Sequence, residues 1–431
     1  MTCSFPPFLQ RLYEAAASGT DRRLMYQRFP LFLQLYDVPE ACTLIKITGT
    51  NGKGSVCSML ESSLMADGKT VGLFTSPHLI CVSERIRINQ QSVSLTSIEQ
   101  QAQQLHGEFL SFSENYGETY RLTFFECLLV IALRLFNIHK VDFAVIETGI
   151  GGYNDASHFL NAHYSAITSI ALDHLSLLGD TLEKIAADKA GIASDNSTLV
   201  VSETLAEPLL SVLANDCTPR GVTLKIASAD ISDATIGLHG TRFNFSCHGE
   251  KLPLALPLLG AFQLQNFAVA ACLFECLYRA GLVHQLASLQ GIQNCQWAAR
   301  MEYYPGSPAV LFDVAHNLHA LEALTHALES LIPKAQRVVL CGFSTDKDFR
   351  TGLQKLATLS DMVYLTEGFY KAIPTQTLQT VLPEVQPCFQ SPDAGLAYLQ
   401  RYYQNQDVCI IVAGSVFLAA TARQAFLQHG Y

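Results

Sequence analysis

Short runs of β-branched and apolar residues alternate along the chain with longer stretches whose apolar positions recur at helical spacing. TLIKIT (43–48), VGLF (71–74), VDFAVIE (141–147), SAITSI (165–170) and TLVVS (198–202) read as strands. They are short and almost continuously apolar, which is the pattern of strands covered on both faces. Between them, SVCSMLESSLMADG (55–68) and TFFECLLVIALRLFNIHK (123–140) carry helical patterns. The alternation predicts a mostly parallel sheet with helices on both sides. TRFNFSCHGEKLPLALP (241–257) reads differently, as two strand-like runs around the polar turn HGEK, and predicts a small antiparallel flap on the first domain. A boundary falls near GIQNCQWAAR (291–300), after which the rhythm restarts with AVLFDVAHN, RVVLCGF, DMVYLTE and VCIIVAGS. The expected architecture is therefore α/β: a mostly parallel sheet domain with the small flap over residues 1–293, then a smaller Rossmann-like domain over 294–431.

Composition narrows the class without naming a reaction. The 431 residues are 49% hydrophobic and 15% charged, as expected of a folded globular chain. A formal net charge of −10 argues against nucleic acid as a partner, because binding it needs basic patches that replace counterions. Thirteen cysteines are scattered with no C-x-x-C pair, so zinc and dithiol signatures are missing and free thiols are expected. The N-terminus MTCSFPPFLQ lacks a signal-peptide design, and no apolar run approaches the ~20 residues of a membrane span. A cytoplasmic protein with no membrane partner is expected.

Four stretches carry chemistry. ITGTNGKGS (47–55) follows a strand and resembles a phosphate-binding loop, except that Gly54 separates Lys53 from Ser55. A lysine among backbone N–H groups at a helix N-terminus favours a bound anion. Lys53 is read as reaching terminal phosphates, and Ser55 as opening the helix. ETGIGGYNDASH places Glu147 at the C-terminal end of a strand, the edge where ligands gather in open α/β sheets. A carboxylate there can hold Mg²⁺, which prefers oxygen ligands and phosphate. SIALDHLSLLG puts His174 at the same edge, and EKIAADKAGI sets Lys189 beside Asp188 in a helix of small apolar residues. Taken singly, such a histidine is more often a packed or capping residue, and such a lysine a surface charge.

Taken together and in this order, the four stretches resemble the Mur ligase superfamily, and within it the folylpolyglutamate synthase and dihydrofolate synthase group. The resemblance runs from about residue 30 onward and includes TSPHL (75–79), SERIRIN (83–89), LGAFQLQN (259–266), DVAHN (313–317), DKD (346–348) and AGS (413–415). It implies ATP-dependent amide formation: a substrate carboxylate becomes an acyl phosphate, which an amino acid amine then captures. The implied substrates are L-glutamate with dihydropteroate or a reduced folate. The resemblance assigns Thr50, Asn51, Gly52, Lys53, Gly54 and Ser55 to the phosphates. Ser76, Glu147, His174 and Lys189 are assigned to Mg²⁺, with Lys189 carbamylated by CO₂ into a carboxylate-like ligand. Gln263 and Asn266 fall to the adenine side, Arg300 and Asp313 to the rest of the ATP site, and His316 to the vicinity of the phosphates. Glu147, His174, Lys189 and His316 form the implied catalytic set. Phe125, Asp155 and Ala156 are assigned to a pterin pocket. Members of the group are usually monomers.

The chain departs from the family pattern at several points. The usual G-G-R-x-D-A-T-N reads GGYNDASH, so Tyr153 replaces an arginine and His158 an asparagine. A tyrosine supplies no permanent cation. The usual Pro-Gly-Arg reads AAR, with Ala299 where glycine would give backbone freedom, and Phe262 stands where histidine is common. None of these is an assigned magnesium ligand. The alternatives to a bifunctional ligase are an enzyme with only one of the two activities and a nucleotide-binding protein with a degenerate site.

Overall fold

The computed structural model describes residues 6–15, 24–36, 42–117 and 120–429. Two compact units are built from the chain. The first comprises residues 1–230, 246–252 and 265–292, and the second 231–245, 253–264 and 293–431.

An eight-stranded sheet organises the first unit. Its strands are β1 (Thr43–Thr48), β2 (Val71–Phe74), β3 (Ile86–Ile88), β4 (Gln91–Ser92), β5 (Phe143–Glu147), β6 (Tyr164–Ile167), β7 (Thr198–Ser202) and β8 (Thr223–Ala227), in the order β4-β3-β2-β5-β1-β6-β7-β8. The β2-β5-β1-β6-β7-β8 run is parallel, and β3 and β4 add an antiparallel edge. The parallel core matches the short apolar runs of the sequence. The sequence pattern does not announce β3, β4 and β8, because two are very short and β8 is only partly buried. Central β1 and β5 are buried almost throughout, as strands with two covered faces must be. On one side lies a core of Leu128, Ile131, Leu135, Phe136 and Ile146; on the other, Ile185, Ile192, Val201 and Leu213. No helix among the described residues is long and apolar enough to cross a membrane.

The flap has three strands, not two: β9 (Asp230–Gly237), β10 (Gly240–Cys247) and β11 (Glu250–Leu256), ordered β11-β10-β9. Most of β9 and β10 clusters with the second unit, which differs from the expected attachment to the first domain. In the second unit, β12 (Glu302–Tyr304), β13 (Ala309–Phe312), β14 (Arg337–Cys341), β15 (Met362–Thr366), β16 (Cys388–Phe389) and β17 (Cys409–Ala413) form a sheet ordered β12-β13-β17-β14-β15-β16. Only β12 is antiparallel. Its core centres on Leu311, Val339, Phe343 and Ile411. Most thiols are free as expected, but Cys81 is disulfide-bonded.

Candidate active site

The chain leaves β1 at Thr48 and enters the helix Lys53–Ala66 through the glycine loop. The helix begins at Lys53, so Ser55 lies inside its first turn, buried, and does not open it. Gly52 sets the start with φ of 86°. A side chain there would meet strain from that φ and contact from Asn266, since a Cβ would fall 2.3 Å from Asn266 Oδ1. Asn266 therefore lies at the loop itself.

Residues just after β6 brace the loop. Thr50 N–H donates to Ser169 O and Asn51 N–H to Ser169 Oγ, both at 2.9 Å, while Thr168 Oγ1 donates to Asn51 O at 2.6 Å. Fixing the loop's peptides this way leaves N–H groups at a helix N-terminus, an arrangement suited to phosphate. Lys53 Nζ turns onto the loop and donates to Gly49 O at 2.9 Å and Thr50 O at 3.3 Å.

Parallel pairing of β2 with β5 sets Phe74 beside Ile146, and so brings the next residues of the two strands to one edge. Buried Glu147 Oε2 accepts the Ser76 N–H at 3.2 Å. Glu147 and Ser76 thus meet, and both offer oxygen donors of the kind a hard divalent cation takes.

Lys189 is 2% exposed, on the last turn of the helix Leu182–Ala190, and is not the surface charge its composition suggests. Burial pushes its amine down to about 7, the Lys53 ammonium pushes the same way, and Asp188, Asp173 and Asp155 oppose both. An ammonium at Lys189 does not fit a metal-ligand set, whereas a carbamate there does. His174 adopts φ of 52° at the N-cap of the short helix Leu175–Leu178 and is one-third exposed. Its backbone N–H donates to Asp173 Oδ1 at 2.8 Å.

The glycine motif is held by two buried carboxylates. Asp155 Oδ2 accepts from Gly149 N (2.8 Å) and Ile150 N (3.1 Å), and Oδ1 from Ser157 N (3.0 Å) and Ser157 Oγ (2.6 Å). Burial raises its pKa against those bonds. Asp188 accepts from Gly152 N (2.8 Å), Asn154 N (3.1 Å) and Asn154 Nδ2 (2.5 Å). Ala156 is buried beside Asp155. Phe125 is half-buried at the start of the helix Phe124–Ile138, whose N-cap Thr123 accepts from Glu126 N. Its ring lies 5.5 Å from that of Phe74 and would be 3.0 Å from a Cβ on Gly149, so it faces the motif.

In the second unit, buried Asp313 accepts from Met301 N at 2.8 Å and Ala315 N at 2.7 Å. Burial raises its pKa, and Arg300 counters that shift. His316 Nδ1 lies 2.8 Å from Val314 O, and Gln263 is fully buried on the first turn of the helix Phe262–Arg279. Thus the first unit contains the loop, Ser76, Glu147, His174, Lys189, Asn266, Phe125, Asp155 and Ala156, and the second contains Gln263, Arg300, Asp313 and His316. Sequence reasoning missed the braces Thr168 and Ser169 and the anchoring role of Asp188; a hydroxyl pair just past a strand was the available signal.

The Mur ligase middle domain matches residues 47–274, and the Mur ligase glutamate ligase domain matches 299–416. The chain is 30% identical to a folylpolyglutamate synthase of Lacticaseibacillus casei, across 96% of this chain and 95% of that protein. It is 33% identical to the dihydrofolate synthase/folylpolyglutamate synthase of Escherichia coli K12, across 77% and 75%. It spans about half (48%) of the probable bifunctional folylpolyglutamate synthase/dihydropteroate synthase of Haloferax volcanii, at 30% identity. Among solved structures, E. coli FolC in complex with DHPP and ADP superimposes with a TM-score of 0.79 at 29% identity, covering 94% of each chain.

Proposed function

The chain belongs to the Mur ligase family, in the branch of the folylpolyglutamate and dihydrofolate synthases, and on that premise we propose that it joins L-glutamate to dihydropteroate and to folates at the expense of ATP. A pterin-linked carboxylate oxygen bonds to the γ-phosphorus as the bond to ADP breaks. The glutamate amine then adds to the acyl carbon, loses a proton, and inorganic phosphate departs. A carboxylate is a poor electrophile, so the protein's work is chiefly positioning and neutralising phosphate charge.

The observation that carries this reading is the meeting, in one unit, of the braced glycine loop, Lys53, the Glu147–Ser76 contact and a buried lysine that feels the Lys53 charge. Lys53 and the amides around Gly52 and Gly54 hold the β- and γ-phosphates. Ser76, Glu147, His174 and a carbamate on Lys189 would hold Mg²⁺, which when bound neutralises phosphate charge. To form that carbamate, a neutral Lys189 amine bonds to the carbon of CO₂ and releases one proton. Phe125, Asp155 and Ala156 line the pterin side, Asp155 by holding the loop in shape. Asn266 serves the nucleotide at the loop, Gln263 shapes the same helix, and the family resemblance gives Arg300, Asp313 and His316 to ATP. The protein acts as a cytoplasmic monomer.

The test is incubation of the protein with Mg-ATP, labelled glutamate, and either dihydropteroate or a reduced folate. Label is expected in product with both acceptors, and ATP is consumed only when acceptor and glutamate are present together. Incorporation with one acceptor alone restricts the activity to that acceptor; none with either, despite nucleotide binding, overturns the ligase reading.

A further inference from the structure

The glycine motif lacks a cation at Tyr153, yet a guanidinium reaches the same spot from elsewhere in the chain. Arg220 ends the short turn Thr218–Arg220 that precedes β8. Its Nη1 donates to Asp216 Oδ1 at 2.6 Å and to Ala190 O and Tyr153 Oη at 3.3 Å. Nη2 donates to Ala193 O, and Nε to Asp195 Oδ1 at 2.9 Å. Tyr153 Oη donates in turn to Asp216 Oδ2 at 2.9 Å, and its ring centre lies 5.7 Å from the guanidinium carbon.

These contacts converge on the end of the helix that carries Lys189. Ala190 closes that helix and Ala193 ends the turn after it. Of the two carbonyls between them, Gly191 O lies 2.6 Å from His158 Nδ1, which must carry the proton to donate. From the other side, Tyr153 N–H donates to Asp188 O at 2.8 Å. A Cβ on Gly152 would fall 2.8 Å from Lys189 Cα, and one on Gly191 would fall 2.2 Å from the Tyr153 ring. The glycine motif and the last helical turn are therefore pressed together with no room for a side chain. A cation at carbonyls of a helix C-terminus complements the helix dipole, and a planar fork can serve several acceptors at once. With its side chain only 18% exposed, Arg220 is screened less than a surface charge.

We propose that Arg220 is a positioning residue for Lys189, fixing the last turn of its helix against the glycine motif and supplying the cation that Tyr153 does not. The proposal rests on the reading of Lys189 as a residue of the active site. Arg220 lies outside the phosphate loop and its braces. Losing it is expected to displace the Lys189 amine while leaving nucleotide capture intact.

The experiment is steady-state ligation by the full chain carrying Arg220→Met, Arg220→Lys, or Arg220→Met combined with Tyr153→Arg, with Lys189→Ala alongside. For Arg220→Met, kcat is expected to fall about 10–100-fold, the range for groups that orient metal ligands. KM for ATP should stay within about twofold. Arg220→Lys keeps one ion pair but cannot span the carbonyls, and should fall between. An arginine at 153 matches the reach of the tyrosine whose hydroxyl already touches Asp216, so the double variant should regain kcat. If Arg220→Met lowers the melting temperature while kcat per folded molecule is unchanged, Arg220 is structural only and the proposal fails. It fails equally if the double variant regains stability without kcat. An inactive Lys189→Ala with a fully active Arg220→Met sinks this proposal alone; a fully active Lys189→Ala sinks the reading beneath it.

Discussion

At the scale of single residues, Lys189 is the sharpest case of burial creating chemistry. An amine brought near neutrality by burial and by the Lys53 ammonium can react with CO₂, whereas an exposed lysine at neutral pH is almost wholly protonated. On the proposed reading, in which Lys189 carries a metal-ligating carbamate, Lys189→Ala should lower turnover by at least about a hundredfold, the order that a misplaced ligand group costs. Acetate should restore part of it by returning a carboxylate to the space, as measured by initial rates across acetate concentrations. A variant with full activity would remove Lys189 from the mechanism. His158 gives a second residue-level expectation. Burial lowers its pKa below 6.5, with Lys46 and Arg220 adding to the shift and the contact with Gly191 opposing it. The folded state thus binds fewer protons than the unfolded one. Its contribution to stability is present above the unfolded value near 6.5 and is lost as pH falls toward the folded value. His158→Asn removes the titrating group, so the drop in melting temperature between about pH 7.5 and about pH 5.5 should be smaller than in the parent protein. An unchanged drop would mean that other groups dominate the acid limb. Neither property was legible in the sequence. A motif can nominate Lys189 and flag His158 as unusual, but burial arises from chain segments far apart in number.

At the scale of elements, legibility followed burial on both faces. The continuous apolar runs of β1, β2, β5 and β7 announced themselves, while β3, β4 and β16 are too short for any period to emerge. The glycine loop was recognisable by composition, but the start of its helix was not, because Gly52 sets that start through its backbone angle. Gly52→Ala should therefore hurt locally. It forces an L-residue into φ of 86° and drives a methyl group toward Asn266, so KM for ATP should rise with the core intact. An unaltered KM would show that the loop tolerates rearrangement. The turn leading into β12 makes the opposite expectation. Ala299 and Met301 have φ of 53° and 47°, conformations that cost L-residues about 1–2 kcal/mol each. They persist because Glu302 Oε2 accepts Ala299 N–H and Asp313 Oδ2 accepts Met301 N–H, both at 2.8 Å, and Arg423 pairs with Glu302 at 2.6 Å. The expected loss of backbone freedom at Ala299 thus has a concrete form, an alanine held in a glycine conformation. Ala299→Gly should relieve that strain and, after the entropy it adds to the unfolded chain, stabilise by up to about 1 kcal/mol in denaturant titration. A destabilised variant would mean that the alanine methyl packs better than its backbone suffers.

For the whole molecule, the relevant fact is that each unit has a core of its own, built from different residues. Phe136 is buried over the first sheet, close enough to Gly72 that a Cβ there would fall 2.5 Å from its ring. Phe343 is fully buried in the second core, against Gly352 and Gly414. Emptying either site should cost about 3–5 kcal/mol, the range for a buried phenylalanine cut to alanine. Because the cores share no residues, that cost should fall on one unit at a time, and a chain of this kind need not unfold in a single step. The sequence revealed two rhythms and a break near residue 293, but it could not reveal that segments 231–245 and 253–264 belong with the second core, since that grouping is a matter of contacts. Calorimetry with and without a non-hydrolysable ATP analogue separates the possibilities. Phe136→Ala should lower one transition and Phe343→Ala another, and the analogue should raise the transition that Phe136→Ala lowers, because the glycine loop and Glu147 lie in that unit. At about a hundredfold excess over its dissociation constant the gain should approach about 2.7 kcal/mol, and it should shrink in Lys53→Met. One transition that moves equally with both core variants would mean that the two cores are coupled and unfold as one. A gain confined to the other transition would place the nucleotide's main contacts on Arg300 and Asp313 and away from the glycine loop.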